Sequence, residues 1–412
     1  MNRNAPRLFH PHLPHIGRRG LLLGFSALMA AGQARLAVAG TSLPGSLPGT
    51  GEARLVIVLL RGALDGLASV PAYGDPDFAA LRGGLALPEP GQEGGLLDLG
   101  GFFGLHPALS RLHGFYMAGE ALILQAAAGP YRTRSHFDAQ DMLESGGPER
   151  LASGWLNRAL AGLDEAASAE ASRRAVAVGA DMPLLLRGPS QVGMYQAAGG
   201  GRPHPDLYAR LAELAHDDPV LGPVVAEGLR GRRYAESRLG EERRRNGFSE
   251  LAAAAGTLLA APDGPRVAAL ELGGWDTHAE QNARLRGPLG HLDAGLGALR
   301  DSLGEAWRHT AVLVMTEFGR TVRVNGNAGT DHGTGGAAFL LGGAVAGGRV
   351  MADWPGLGAG RLLENRDLQP TLDLRRVAKG LLRDHLCLPG TALEAAFPGS
   401  ADAAPLAGLL RG

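Results

Sequence analysis

The sequence predicts an α/β fold: a mostly parallel central sheet with helices on both faces and a helical insertion. Three observations carry that prediction. Short, almost wholly apolar runs recur along the chain, helix-compatible segments lie between them, and turns rich in glycine, acidic residues and histidine close several of the runs. A strand covered on both faces needs no polar alternation, so such runs read as parallel strands.

Residues 1–39 begin with Arg3 and Arg7, continue through Gly17-Arg18-Arg19-Gly20-Leu21-Leu22-Leu23 and end on Ala37-Val38-Ala39. Basic start, apolar stretch and small-residue cleavage site form a signal peptide, and the arginine pair resembles a twin-arginine export signal. Its apolar run of about eleven residues falls short of the ~20 that cross a bilayer. The expectations are export by the twin-arginine machinery, a periplasmic or secreted destination, and no transmembrane segment in the mature protein. Residues 40–53 read as a spacer and 54–390 as one domain.

Within that domain the run 55–60 (LVIVLL) opens the sheet and leads into Arg61-Gly62-Ala63-Leu64-Asp65-Gly66, where Asp65 is either a ligand or a turn former. A helix over 107–119 precedes the strand 121–127, and Tyr131-Arg132-Thr133-Arg134-Ser135-His136-Phe137-Asp138 follows it. Helices are expected over 136–144 and 156–163, a strand over 175–178, and a helical insertion over about 190–262. The arginines of 230–245 alternate with glutamates and lack aromatic partners, which describes a solvated helix face. The run 267–272, helix 280–306 and run 311–315 form a βαβ crossover; a strand at 337–341 and a helix over 370–386 complete the domain, and 391–412 read as a tail.

Composition narrows the function. With 40 Lys+Arg against 41 Asp+Glu in 412 residues, the chain has no basic excess for nucleic acid or an anionic membrane. Hydrophobic residues at 45% against 20% charged imply a packed core. Cys387 is the single cysteine, so no intramolecular disulfide can form, and its setting between Leu386 and Leu388 reads as a buried thiol.

Chemistry concentrates in the loops. Gly273-Gly274-Trp275-Asp276-Thr277-His278 and Thr316-Glu317-Phe318-Gly319-Arg320 follow strands of one crossover and must leave the sheet at the same edge. Gly329-Thr330-Asp331-His332-Gly333 comes shortly after. Asp276, His278, Glu317, Asp331 and His332 are suitable ligands for zinc or a harder divalent ion, or else they cap turns and bond to backbone. Ser135 begins a helix, where an anion or a reactive hydroxyl is favoured; Ser135 and Asp138 also read as a capping-box variant. Arg132 and Arg134 either clamp an anion or lie in solvent. No phosphate-binding loop, dinucleotide fingerprint or nucleophile elbow occurs in a suitable context.

Five ordered blocks, Leu60-Arg61-Gly62-Ala63-Leu64-Asp65-Gly66-Leu67, Arg134-Ser135-His136-Phe137-Asp138-Ala139-Gln140-Asp141, Gly273 to His278, Thr316 to Thr321 and Asp331-His332-Gly333, resemble the exported bacterial domain-of-unknown-function 1501 family. That family is similar to the alkaline phosphatase and sulfatase superfamily, which implies an alkaline phosphatase-like fold, a hydroxyl nucleophile and one or two metals. By this resemblance Asp276, His278 and His332 hold a metal and Ser135 is the nucleophile. Arg134 or Arg320 stabilises the transferring group, and Asp65 lies near a further metal position. Glu317-Phe318 stands where the superfamily has Asp-His, and the Arg61 cation would repel a second ion, so one divalent metal is expected rather than two. The implied activity is hydrolysis of a phosphate or sulfate ester. Two alternatives stand beside it: a non-catalytic binding or assembly protein on the same scaffold, and a solute binder using Arg61, Arg134 and Arg320 for an anion.

Overall fold

A computed structural model of the chain describes residues 52–164, 175–196 and 247–411, together with isolated positions between 214 and 238. The leader at 1–39 and most of the insertion at 190–262 lie outside the described residues. In chain order the main sheet comprises β1 (Arg54–Arg61), β2 (Ala121–Ala128), β3 (Ala175–Val178), β4 (Gly193–Tyr195), β5 (Val267–Gly273), β6 (Thr310–Thr316), β7 (Gly336–Leu341), β8 (Arg349–Met351) and β9 (Leu372–Asp373). Their spatial order is β8-β2-β7-β6-β1-β5-β3-β4, with β9 also pairing β2.

β1 is the centre. It pairs in parallel with β5, Leu55 opposite Val267 and Arg61 opposite Gly273, and with β6, Leu55 opposite Ala311 and Leu60 opposite Thr316. The crossover from β5 to β6 therefore steps over β1 while keeping both following loops at one edge. β7 runs antiparallel to both β2 and β6, and the other pairings in this sheet are parallel. The sheet is thus mostly parallel with one reversed strand, and that reversal brings the start of β7 to the edge where its neighbours end.

The all-apolar runs are explained by two cores, one on each face. Val56, Val58 and Leu60 of β1 pack with residues of α1 (Ser110–Met117), α4 (Phe248–Ala260) and α5 (Gln281–Leu303). Leu55, Ile57 and Leu59, pointing the other way, pack with α3 (Trp155–Asp164), α6 (Leu374–Asp384) and α7 (Gly390–Ala396). Each fully buried Leu or Ile contributes about 1.5–3 kcal/mol.

Three expectations change. The helix expected over 370–386 begins at Leu374, because Leu372 and Asp373 first pair with β2 and the Asp373 carboxylate then accepts the Arg375 N–H as an N-cap. Residues after 390 are more than a tail: Leu393, Phe397 and Leu409 are buried in the second core, and Lys379 donates to the carbonyls of Ser400 and Ala403. Cys387 is exposed, because its backbone takes a left-handed turn (φ 56°) between buried Leu386 and Leu388.

Candidate metal centre

Four loops meet at the edge where β1, β2, β5 and β6 end and β7 begins. His136 comes from the start of α2 (His136–Ser145) after β2, Asp276 and His278 from the loop after β5, Glu317 and Arg320 from the loop after β6, and His332 from the approach to β7. This is the edge at which open α/β sheets bind ligands. The approach to β7 lies flat on the loop after β6: Gly319 and Thr321 N–H donate to the carbonyls of Thr334 and Asp331, and Gly333 N–H donates to that of Gly319. A Cβ at Gly333 would fall 2.4 Å from the Arg320 carbonyl, and one at Gly329 2.3 Å from the His278 carbonyl. Glycine is therefore required for His332 to reach the cluster.

The Nε2 atoms of His136 and His332 are 3.0 Å apart, and Asp276 Oδ1 lies 3.5 Å from the first and 3.3 Å from the second. These three residues form the set whose ligand atoms all lie within 4.8 Å of one another. His278 adjoins it, with Nε2 3.0 Å from both Asp276 Oδ1 and His332 Nε2.

Each imidazole is oriented through its other nitrogen. His136 Nδ1 donates to Glu317 Oε1 at 2.7 Å, His278 Nδ1 to Asp331 Oδ1 at 3.2 Å, and His332 Nδ1 to the Arg134 carbonyl at 3.0 Å. Since these partners accept hydrogen bonds, the neutral rings carry their proton on Nδ1 and leave Nε2 bare. In those tautomers the Nε2 lone pairs and Asp276 Oδ1 converge on one point, the arrangement that ligands take around a cation. Four-coordinate zinc with bonds of 2.0–2.1 Å separates its ligand atoms by about 3.3 Å, so the trio fits a small divalent ion and leaves a coordination position free. Carboxylates and carbonyls behind the ligating rings are the usual outer support of such a site.

The charges differ from ring to ring. The hydrogen bond to Glu317 raises the His136 pKa, whereas burial lowers that of His332. Burial opposes the charged form of Asp276, but Arg320 and the surrounding histidines hold its carboxyl below the usual range. Glu317 is buried and still lowered, because His136, Gln140 and Thr316 donate to it. The Gly62 N–H completes its shell at 2.9 Å.

Several expected ligands and clamps take other positions. Asp65 is 1% exposed and accepts from Leu67 and Ala68 N–H, Arg82, Gln281 and Thr330, so it is a structural hub. Glu317 and Asp331 hold histidines through Nδ1 instead of joining the trio. Arg134 Nη2 is 2.6 Å from Glu364 and 2.7 Å from Asp367, its left-handed backbone (φ 62°) turning its carbonyl toward His332. Arg320 is buried with Nη2 2.7 Å from Asp276 Oδ1, and Arg61 is paired with Glu144 and Glu271. No guanidinium of the three stands free as an anion clamp. Ser135 occupies the N-cap of α2 without a capping hydrogen bond from its side chain.

His136 joins the cluster without being among the expected ligands; the signal for it is the Ser135-His136 pair that follows β2 at the same edge. Its ring also packs against Phe318, centroids 4.9 Å apart, so that phenylalanine shapes the site as well.

The family described as "Protein of unknown function (DUF1501)" matches residues 119–397. No curated protein matches the chain. Among solved structures it is similar to Ps i-CgsB, at 12% identity and a TM-score of 0.34 over 70% of this chain and 65% of that one, less than two thirds of the latter's length. It is similar to the zinc complex of the C-terminal periplasmic domain of EcEptC from Escherichia coli (8% identity, TM-score 0.36, 75% and 76% covered). It is also similar to a protein of the alkaline phosphatase superfamily from Vibrio parahaemolyticus (13%, 0.30, 75% and 65%).

Proposed function

The chain belongs to this DUF1501 family of unknown function, and for it we propose an exported, metal-dependent hydrolase of phosphate or sulfate esters. The observation that carries the reading is the trio of His136 Nε2, His332 Nε2 and Asp276 Oδ1, each ring aimed by a partner on its far nitrogen. The signal peptide and twin-arginine route belong to the same proposal and rest on residues 1–39 alone. Among the described residues no helix is long and apolar enough to cross a membrane.

A divalent ion held by the trio would supply Lewis acidity to an ester oxygen. Ser135, one residue before His136 and free of capping duty, attacks the phosphorus or sulfur through Oγ. Its proton passes to the bare Nε2 of His278, held ready by Asp331. As the new bond forms, the bond to the alcohol oxygen breaks, and the alcohol leaves with the proton from His278. Water then cleaves the seryl ester by the same exchange, which restores Ser135 and releases phosphate or sulfate. The N–H groups in the first turn of α2 have no partner within the helix and face the charge that develops. Arg320 acts through Asp276, fixing its carboxylate.

The test is elemental mass spectrometry on the purified mature chain beside His136→Ala and His332→Ala, followed by a panel of phosphate and sulfate esters. Near-stoichiometric metal that falls at least tenfold in both variants is the expected result. Folded wild type that takes up no zinc, manganese or magnesium would overturn it.

A further inference from the structure

Beside the cluster lies a cavity of about 390 Å³, lined by Arg61, Phe137, Gln140, Glu144, Glu271 and Arg187 among others. That size is within the range of small-molecule sites. It shares a wall with the cluster: Gln140 donates to Glu317 Oε1 at 3.0 Å, Arg61 immediately precedes the Gly62 whose N–H donates to the same oxygen, and Phe137 immediately follows His136. A group bound at the cluster would therefore have its remainder directed here.

We propose that this cavity receives the alcohol portion of the ester and that this portion is a sugar or a closely similar polyol; the proposal rests on the ester-hydrolase reading. The lining charges are nearly balanced. Arg61 donates to Glu144 and Glu271, Arg150 is 2.8 Å from Asp141, and Arg187 donates to the Met182 carbonyl, so the wall carries three cations against four anions. Such a wall selects neither an anion nor a cation. It offers donors and acceptors side by side, which is what a row of hydroxyl groups requires. Glu271 receives Arg61 through Oε1 alone, so its Oε2 is available to accept from a hydroxyl. The Phe137 side chain is 85% exposed at the rim, an apolar plate suited to the C–H face of a pyranose. An alkyl alcohol would leave the free acceptor positions of the wall without donors, and a charged leaving group would meet repulsive as well as attractive partners.

The test uses the metal-loaded full chain and has two independent arms. In the first, saturation-transfer NMR with methyl glucoside, methyl galactoside and methyl N-acetylglucosaminide reads binding without turnover; signal in wild type that is lost in Phe137→Ala and reduced in Glu271→Gln is expected. In the second, kcat/KM is compared for sugar 6-phosphates and 6-sulfates, butyl esters and 4-nitrophenyl esters. Sugar esters should exceed butyl esters by about tenfold or more, and Phe137→Ala should bring that ratio down to about one. No glycoside signal together with equal rates on sugar and butyl esters overturns the proposal. Absence of cleavage of every ester with glycoside binding intact removes the hydrolase reading instead, and with it the assignment of this cavity to a leaving group.

Discussion

Asp65 and Asp276 follow adjacent parallel strands, β1 and β5, and leave the sheet at the same edge, yet they do opposite work. Asp65 is sealed from solvent and meets donors: two backbone N–H groups, the Arg82 guanidinium at 2.6 Å and the Gln281 amide at 2.6 Å. The Asp276 side chain is 47% exposed and meets Arg320 on one side and bare imidazole nitrogens on the other. A carboxylate surrounded by donors is finished and stabilises the fold. One that is half-exposed among imidazole nitrogens keeps lone pairs for a ligand from outside. The two are also coupled: Thr330 and Gln281 of the Asp65 network anchor the loops that carry His332 and His278.

The sharpest way to break this contrast is to exchange the effects of substitution. Asp65→Ala leaves the Arg82 charge buried without its partner, its side chain being wholly inaccessible, and should cost about 3–5 kcal/mol in urea unfolding. His332→Ala should cost about 1 kcal/mol or less in metal-free protein, because it opens a part-exposed site and strands no charge. Equal losses in the two variants would mean that the cluster is structural too.

The histidines divide along the same line. His106 is pushed down to about 4 by burial, with Arg286 adding to the effect, while Glu317 draws His136 up. In the unfolded chain His106 titrates near ~6.5, so between about pH 6.5 and 4 the unfolded state binds a proton that the folded state refuses. Stability should therefore fall as pH falls through that window, by up to roughly 1.4 kcal/mol per pH unit and about 3 kcal/mol in all, and level off below about 4. His106→Asn, which keeps an acceptor for the Ala108 N–H, should flatten the slope in denaturant titrations run across that range. An unchanged slope would assign the acid sensitivity elsewhere, with buried His385 the next candidate.

The smallest expected effect lies behind the trio. Glu317→Gln keeps the shape of the buried side chain but weakens the hold on His136, so metal affinity should drop about 10- to 100-fold, with the fold retained. Competition titration with a chromogenic chelator would measure it, and an affinity unchanged within error would show that His136 is oriented by Phe318 packing alone.

Much of the scaffold is legible from local chemistry. The runs at 55–60, 121–127, 267–272 and 311–315 are strands because both of their faces are buried, and the glycines at 319, 329 and 333 mark backbones that pass too close for a side chain. Asp276 and His332 are readable as candidate ligands by residue type and by their place after or before strands, and the fold brings them together. Asp65, Glu317 and Asp331 look the same on paper and prove to be a hub and two supports. His136 is the converse case, hidden because a serine beside it offered a more familiar role.

What the sequence by itself determined is the set of parts: where strands form, which loops bear carboxylates and imidazoles, and that no bulk charge selects the partner. These depend on neighbours a few residues away. The tertiary structure alone decided the reversal of β7, which carries His332 to the edge its neighbours share, and the insertion of β1 between β5 and β6. It also decided which nitrogens turn inward, because each imidazole is aimed by a partner between 53 and 198 residues away. A ligand is defined by convergence and by what occupies its other atoms, and both are set by strand order and backbone approach.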